Sequence, residues 1–206
     1  MTGGSIKELV RLYDGVLRKH KEETDQDDGS RKGFTENIMA ATSVLMESEC
    51  GWKEIQRDDQ RFQATSDILK SIDLLGYIFG TRSQQLKSCD GSQSESFPTE
   101  NIQLTIRSIP SGLNGGECFS FSDSGSICLP ATEEMTYDDD TCSVHVATAF
   151  HVMEESMAMF LTQSLDPEAP SLSKNILGLT IDNGEFSSSE NIVVTIEHDT
   201  VEVSFK

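Results

Sequence analysis

The chain has 206 residues and a formal net charge of −19, with 16 Lys and Arg against 35 Asp and Glu, 36% hydrophobic residues and 25% charged ones. It is long enough for one large domain or two small ones with a real core, but it lacks the basic footprint that a nucleic-acid backbone requires. The charge is also uneven: residues 1–100 carry 13 basic and 18 acidic side chains and residues 101–206 carry 3 and 17, so the second half also repels anionic lipid.

The opening, MTGGSIKELV, has no basic stretch followed by an apolar one, so no signal peptide is read there. No apolar run reaches the roughly 18 residues a membrane helix needs. The expectation is a cytosolic protein or a piece of a longer one. In SIKELVRLYDGVLRKHK, Ile6, Leu9, Val10, Tyr13, Val16 and Leu17 recur at helical spacing. Ser5 and Glu8 have the spacing of a capping box. Arg18, Lys19, His20 and Lys21 gather where the helix dipole favours cations. The polar stretch EETDQDDGSRKG then reads as a loop.

A second helix is predicted from about Phe34 to Met46, with Phe34, Ile38, Ala41 and Leu45 in line. A third is predicted from about Asp58 to Phe79, opened by Asp58 or Asp59 and closed by Gly80. Its stripe is Phe62, Thr65, Leu69, Ile72 and Phe79, widened by Ile68 and Leu75. Such stripes form helix–helix core, and Trp52, the only tryptophan, reads as a core plug between the two helices.

The pattern then changes. SCDGSQSESFPTE is rich in Ser and has neither helical nor strand period, so it reads as a linker near residues 88–100. From Asn101 the period is two: Ile102, Leu104 and Ile106, then Ile127 and Leu129, then Val144, Val146, Thr148 and Phe150, then the run ending at Ile181. Ile192, Val194 and Ile196, followed by Val201, Val203 and Phe205, continue it to the end. Turn signals such as LNGGE, SDSGS, LDPEAP and DNGEFSSSE separate these runs. The fold class expected is α+β: a helical subdomain over 1–96, then an antiparallel β-sandwich over 97–206, with Ile102, Leu104, Val146, Ile181, Val194 and Ile196 inside. The alternation running up to Lys206 raises the question of what the last strand pairs with.

Chemistry is sparse. The serine-hydrolase elbow, the phosphate-binding loop, the zinc-protease helix and the calcium-loop spacing are all missing. No activated nucleophile or acid–base pair can be named, so no catalytic residue, no cofactor and no enzyme activity are expected. His145 and His151 flank a strand and read as partly buried structural histidines. Asp138, Asp139 and Asp140 cluster carboxylates as calcium ligands do, although three adjacent aspartates also make an ordinary solvated turn.

Five cysteines, Cys50, Cys89, Cys118, Cys128 and Cys142, form no C-x-x-C pair and no zinc-finger spacing. Cys118 and Cys128 bracket FSFSDSGSI, which reads as a hairpin turning near Asp123–Gly125. They are the candidate disulfide, provided the strand register sets them opposite each other and the compartment is oxidising.

Several runs resemble one family. WKEIQRDDQRFQATSDILKSIDLLGYIFG is similar to the long helix of the GAIN domain of adhesion G protein-coupled receptors, latrophilin-like in particular. ENIQLTIRSIPSGLNGGECFSFSDSGSICLP resembles the opening strands of its β subdomain. CSVHVATAFHVMEESMAMFLT and NILGLTIDNGEFSSSENIVVTIEH resemble later ones, and the likeness spans about Phe34 to His198.

The resemblance implies an extracellular scaffold on the cell membrane that holds a tethered-agonist strand and transmits ligand or mechanical load. Its partners would be the receptor's final strands and seven-helix domain, together with an extracellular protein ligand. The family's Cys- and Trp-rich cleavage segment with its His-Leu-Ser/Thr tripeptide does not occur in the chain, so self-cleavage is not expected of it. The alternative is a freestanding acidic β-sandwich that binds a protein or glycan through its loops.

Overall fold

A computed structural model describes residues 2–22, 27–83, 86, 93–110, 118–121, 125–128, 144–152, 176–181 and 193–196. It is α+β: among these residues four helices come first, α1 (Gly3–Glu22), α2 (Asp28–Met46), α3 (Glu49–Lys53) and α4 (Asp58–Arg82). Seven strands follow among the described residues: β1 (Ser94–Pro98), β2 (Ile102–Pro110), β3 (Cys118–Phe121), β4 (Gly125–Cys128), β5 (Val144–Val152), β6 (Ile176–Ile181) and β7 (Val193–Ile196). Every pairing is antiparallel, in a four-stranded sheet ordered β1-β2-β5-β6 and a three-stranded sheet ordered β3-β4-β7.

In α1 the buried face is Ile6, Val10, Tyr13, Leu17 and His20, while Val16 is exposed. The cap is Thr2 rather than Ser5: Thr2 Oγ1 accepts the Ser5 amide at 3.2 Å. Thr2 stands three residues before Ser5, the spacing at which a side-chain oxygen meets a free first-turn amide.

The supposed loop before the second helix is in part helix. Asp27 caps α2 by accepting the Ser30 amide at 2.8 Å, so the polar residues there start the element rather than break it. The face of α2 is also rotated from the apolar reading. Arg31, Thr35, Met39, Thr42 and Met46 are buried, Phe34 and Ile38 only partly, and Ala41 is exposed. Polar side chains tolerate the inner face because they are satisfied: Thr35 and Thr42 donate to Arg31 O and Ile38 O, and Arg31 donates to Asp28 and to Arg82 O.

Trp52 lies on the short α3, 1% exposed, with its indole N–H on Leu45 O at 2.9 Å. Arg57 holds the N-cap position of α4, where the sequence points to Asp58 or Asp59, and Asp59 instead pairs with the Arg57 guanidinium. Gly80 does not end α4, which continues to Arg82. Gly76 and Gly80 sit one turn apart where the helix meets β5. A β-carbon would fall 2.2 Å from Thr148 Cγ2 at Gly76 and 2.2 Å from Val146 Cγ1 at Gly80. These glycines are packing surfaces.

The segment read as linker contains β1, whose Phe97 is buried opposite Leu104. Phe97 also meets Phe79 of α4 edge-on, with ring centroids 5.1 Å apart. On β2 and β5, Ile102, Leu104, Ile106, Val146, Phe150 and Val152 join the helical side chains in one continuous core. Asn101 ties the start of β2 to α2 through its amide, which donates to Ser43 O, Ser43 Oγ and Glu47 Oε1. The side chains of Ile181, Val194 and Ile196, and residues Leu129, Ile192 and 201–205, lie outside the described residues.

Candidate functional site

Two places stand out. The first is the three-stranded sheet. In the hairpin of β3 and β4, Phe119 and Ile127 face inward and are 1% and 2% exposed, whereas Cys118 and Ser120 are exposed and Ser126 and Cys128 half-buried. This alternation is what a sheet with one covered face produces. The register sets Cys118 opposite Cys128, Phe119 opposite Ile127, Ser120 opposite Ser126 and Phe121 opposite Gly125. Cys118 and Cys128 are joined by a disulfide with their Cα atoms 4.0 Å apart.

The hairpin is tied to the larger sheet by Arg107 of β2. Its Nη1 donates to Cys118 O at 2.8 Å and its guanidinium lies 5.1 Å from the Phe119 ring centroid. Nothing in the sequence marked Arg107 apart from its place as a polar residue in an alternating strand. On that same side of β5, Ala147, Ala149 and His151 are buried. β5 is therefore covered on both faces, and both His145 and His151 lie within it rather than flanking it.

β7 is the described part of the alternation near the chain's end, and the run of Val201, Val203 and Phe205 lies outside the described residues. β7 pairs with β4, Val194 opposite Ile127 and Ile196 opposite Gly125, and among the described residues its other edge carries no strand. An edge strand presents backbone N–H and C=O groups as a template for a further strand.

The second place is a groove of about 440 Å³ beside α4, lined by Phe62, Thr65, Leu69, Asp73 and Phe150. Phe62 is 48% exposed there, not part of the helical core as its spacing suggested. Asp73 Oδ2 accepts from Thr180 Oγ1 of β6 at 2.6 Å, while Oδ1 is buried without a hydrogen-bond partner among the described residues.

The described residues contain no group of three or more His, Cys, Asp or Glu able to hold a metal, and the Asp138–Asp140 cluster lies outside them. No described helix is long and apolar enough to cross a membrane. No family model matches the chain, and no curated protein matches it.

Proposed function

We propose that this chain is a non-catalytic, extracellular, GAIN-like scaffold of an adhesion receptor, whose role is to hold a strand of the receptor and pass ligand or mechanical load to it. The observation that carries the reading is β7, paired on one side only among the described residues, in a small sheet clasped by the Cys118–Cys128 bridge. Such an edge suits the capture of an extended segment through backbone hydrogen bonds. The order of helices, then antiparallel strands, supports the reading, and so does a disulfide, which belongs with oxidising compartments. The resemblance of the runs between Phe34 and His198 supplies the family.

Two measurements test it. The natural transcript beyond codon 206 should encode a Cys- and Trp-rich segment followed by seven apolar spans; a stop codon there would replace this reading with the freestanding acidic module. A protein extended by that segment should also melt at a higher temperature, because whatever binds only the folded form stabilises it. Identical melting with and without the added segment counts against strand capture.

A further inference from the structure

The geometry points to the Cys118–Cys128 disulfide as a reducible clasp that controls whether β3 stays on its sheet, a role that does not depend on the receptor reading. The bond sits on the outward face of the hairpin, opposite the side on which Phe119 and Ile127 are buried. Cys118 is exposed and Cys128 half-buried, so an attacking thiolate reaches Cys118 Sγ more readily. Exposed disulfides are the labile, regulatory ones, whereas buried ones resist reduction.

Among the described residues, β3 has little else to hold it. Among them it is an edge strand of four residues, paired on one side only, and a short two-stranded ribbon has marginal stability alone. Besides the bridge, the ladder to β4 and the seating of the Phe119 ring, it is tied down through Arg107, whose guanidinium meets Cys118 O and that ring.

The reductant is a thiol, either a small molecule or a dithiol oxidoreductase. Its thiolate attacks Cys118 Sγ and the S–S bond breaks. A mixed disulfide forms at Cys118, and the electron pair leaves on Cys128 as thiolate, which takes up a proton. A second thiol of the reductant resolves the mixed disulfide. The protein gains two electrons and two protons, and the reductant's two thiols become one disulfide. Freed of the bridge, β3 leaves β4 and uncovers the β4 edge, turning a closed hairpin into an acceptor for another strand.

The test is graded reduction of the intact chain with glutathione, read by alkylation and peptide mapping at each cysteine alongside hydrogen exchange. Glutathione should add first at Cys118. Both cysteines should then become alkylated while amides of α4 and β5 stay protected and amides of 118–121 exchange about tenfold faster or more. The Cys118→Ser, Cys128→Ser double variant should show that faster exchange without any thiol. Reduction that occurs only as α4 and β5 also open would overturn the proposal. So would a first adduct at Cys128, or β3 amides equally protected in the reduced chain. Should the double variant fail to fold, graded reduction of the natural chain still decides.

Discussion

Gly76 of α4 and Thr148 of β5 approach so closely that a β-carbon on the glycine would lie 2.2 Å from Thr148 Cγ2. Thr148 is buried and β-branched, so its methyl group has nowhere cheap to go. Gly76→Ala should therefore lower stability by about 1–3 kcal/mol through overpacking, even though alanine gains up to about 1 kcal/mol of helix propensity. Gly80→Ala should behave alike against Val146. Among the described residues, nothing would lie within 4 Å of a β-carbon at Gly15 or Gly33, so their alanine variants should gain about 0.5–1 kcal/mol. Urea unfolding of the four variants checks the contrast. A Gly76→Ala protein as stable as Gly15→Ala would mean that α4 does not lie this close to β5.

The depth of each α4 residue sets a second series. Ile72 is fully buried, Leu69 is half-buried at the groove and Phe62 is 48% exposed. Ile72→Asp places an unpaired charge in the core and should cost about 4 kcal/mol or more, enough to unfold a marginal domain. Leu69→Asp should cost roughly 1–2 kcal/mol, since its carboxylate reaches water, and Phe62→Ser less than about 1 kcal/mol. Thermal melts give the ranking, and equal losses at positions 62 and 72 would contradict the orientation of the helix.

What the sequence revealed and what it hid follow from one physical distinction. Strongly periodic apolar faces were legible: Ile6, Val10, Tyr13 and Leu17 in α1, and the alternation of Ile102, Leu104 and Ile106 in β2, place burial correctly because nothing else explains the spacing. The polar start of α2 was not legible, because Asp27 acts by hydrogen bonding to the helix's first turn, and composition cannot distinguish that from a loop; the buried places of Thr35 and Thr42 were hidden likewise, since each satisfies its hydroxyl on the helix itself. Gly80 looked like a terminator because a glycine at a helix end has that use; its close approach to Val146 depends on a strand more than sixty residues away. At the candidate site, the pairing of Cys118 with Cys128 could be read from a short hairpin. The Arg107 tie could not, since it joins two sheets whose relation no local pattern encodes.

Asn101 links helices and sheet through a single amide group, and its chemistry makes the link directional. Its Nδ2 donates to Ser43 O at 3.1 Å, Ser43 Oγ at 2.8 Å and Glu47 Oε1 at 2.7 Å, with Ser43 buried. Asn101→Ala strands these acceptors and should cost about 1–3 kcal/mol. Asn101→Asp keeps the shape but sets a carboxylate against a carbonyl and another carboxylate, and should cost more than alanine. Denaturant midpoints of the two variants check the order. Aspartate equal to asparagine would mean that the amide donates elsewhere.

The cap of α2 gives the molecule a defined response to acid. The Ser30 amide and hydroxyl hold the Asp27 carboxyl below its ordinary value of 3.8, the backbone hydrogen bond being the larger cause. A group whose folded value is lowered adds stability above its unfolded value and loses it as pH falls through the folded one. The stability difference between the natural chain and Asp27→Ala should therefore stay constant from neutral pH down to about 4 and close below it. Asp27→Asn keeps an oxygen acceptor at the cap without the charge, so it should fall between the two at neutral pH and vary less with acid. Melting temperatures of the three proteins across this range check it. A difference that vanished near neutral pH, or a natural chain indistinguishable from Asp27→Ala throughout, would mean that α2 starts without this cap.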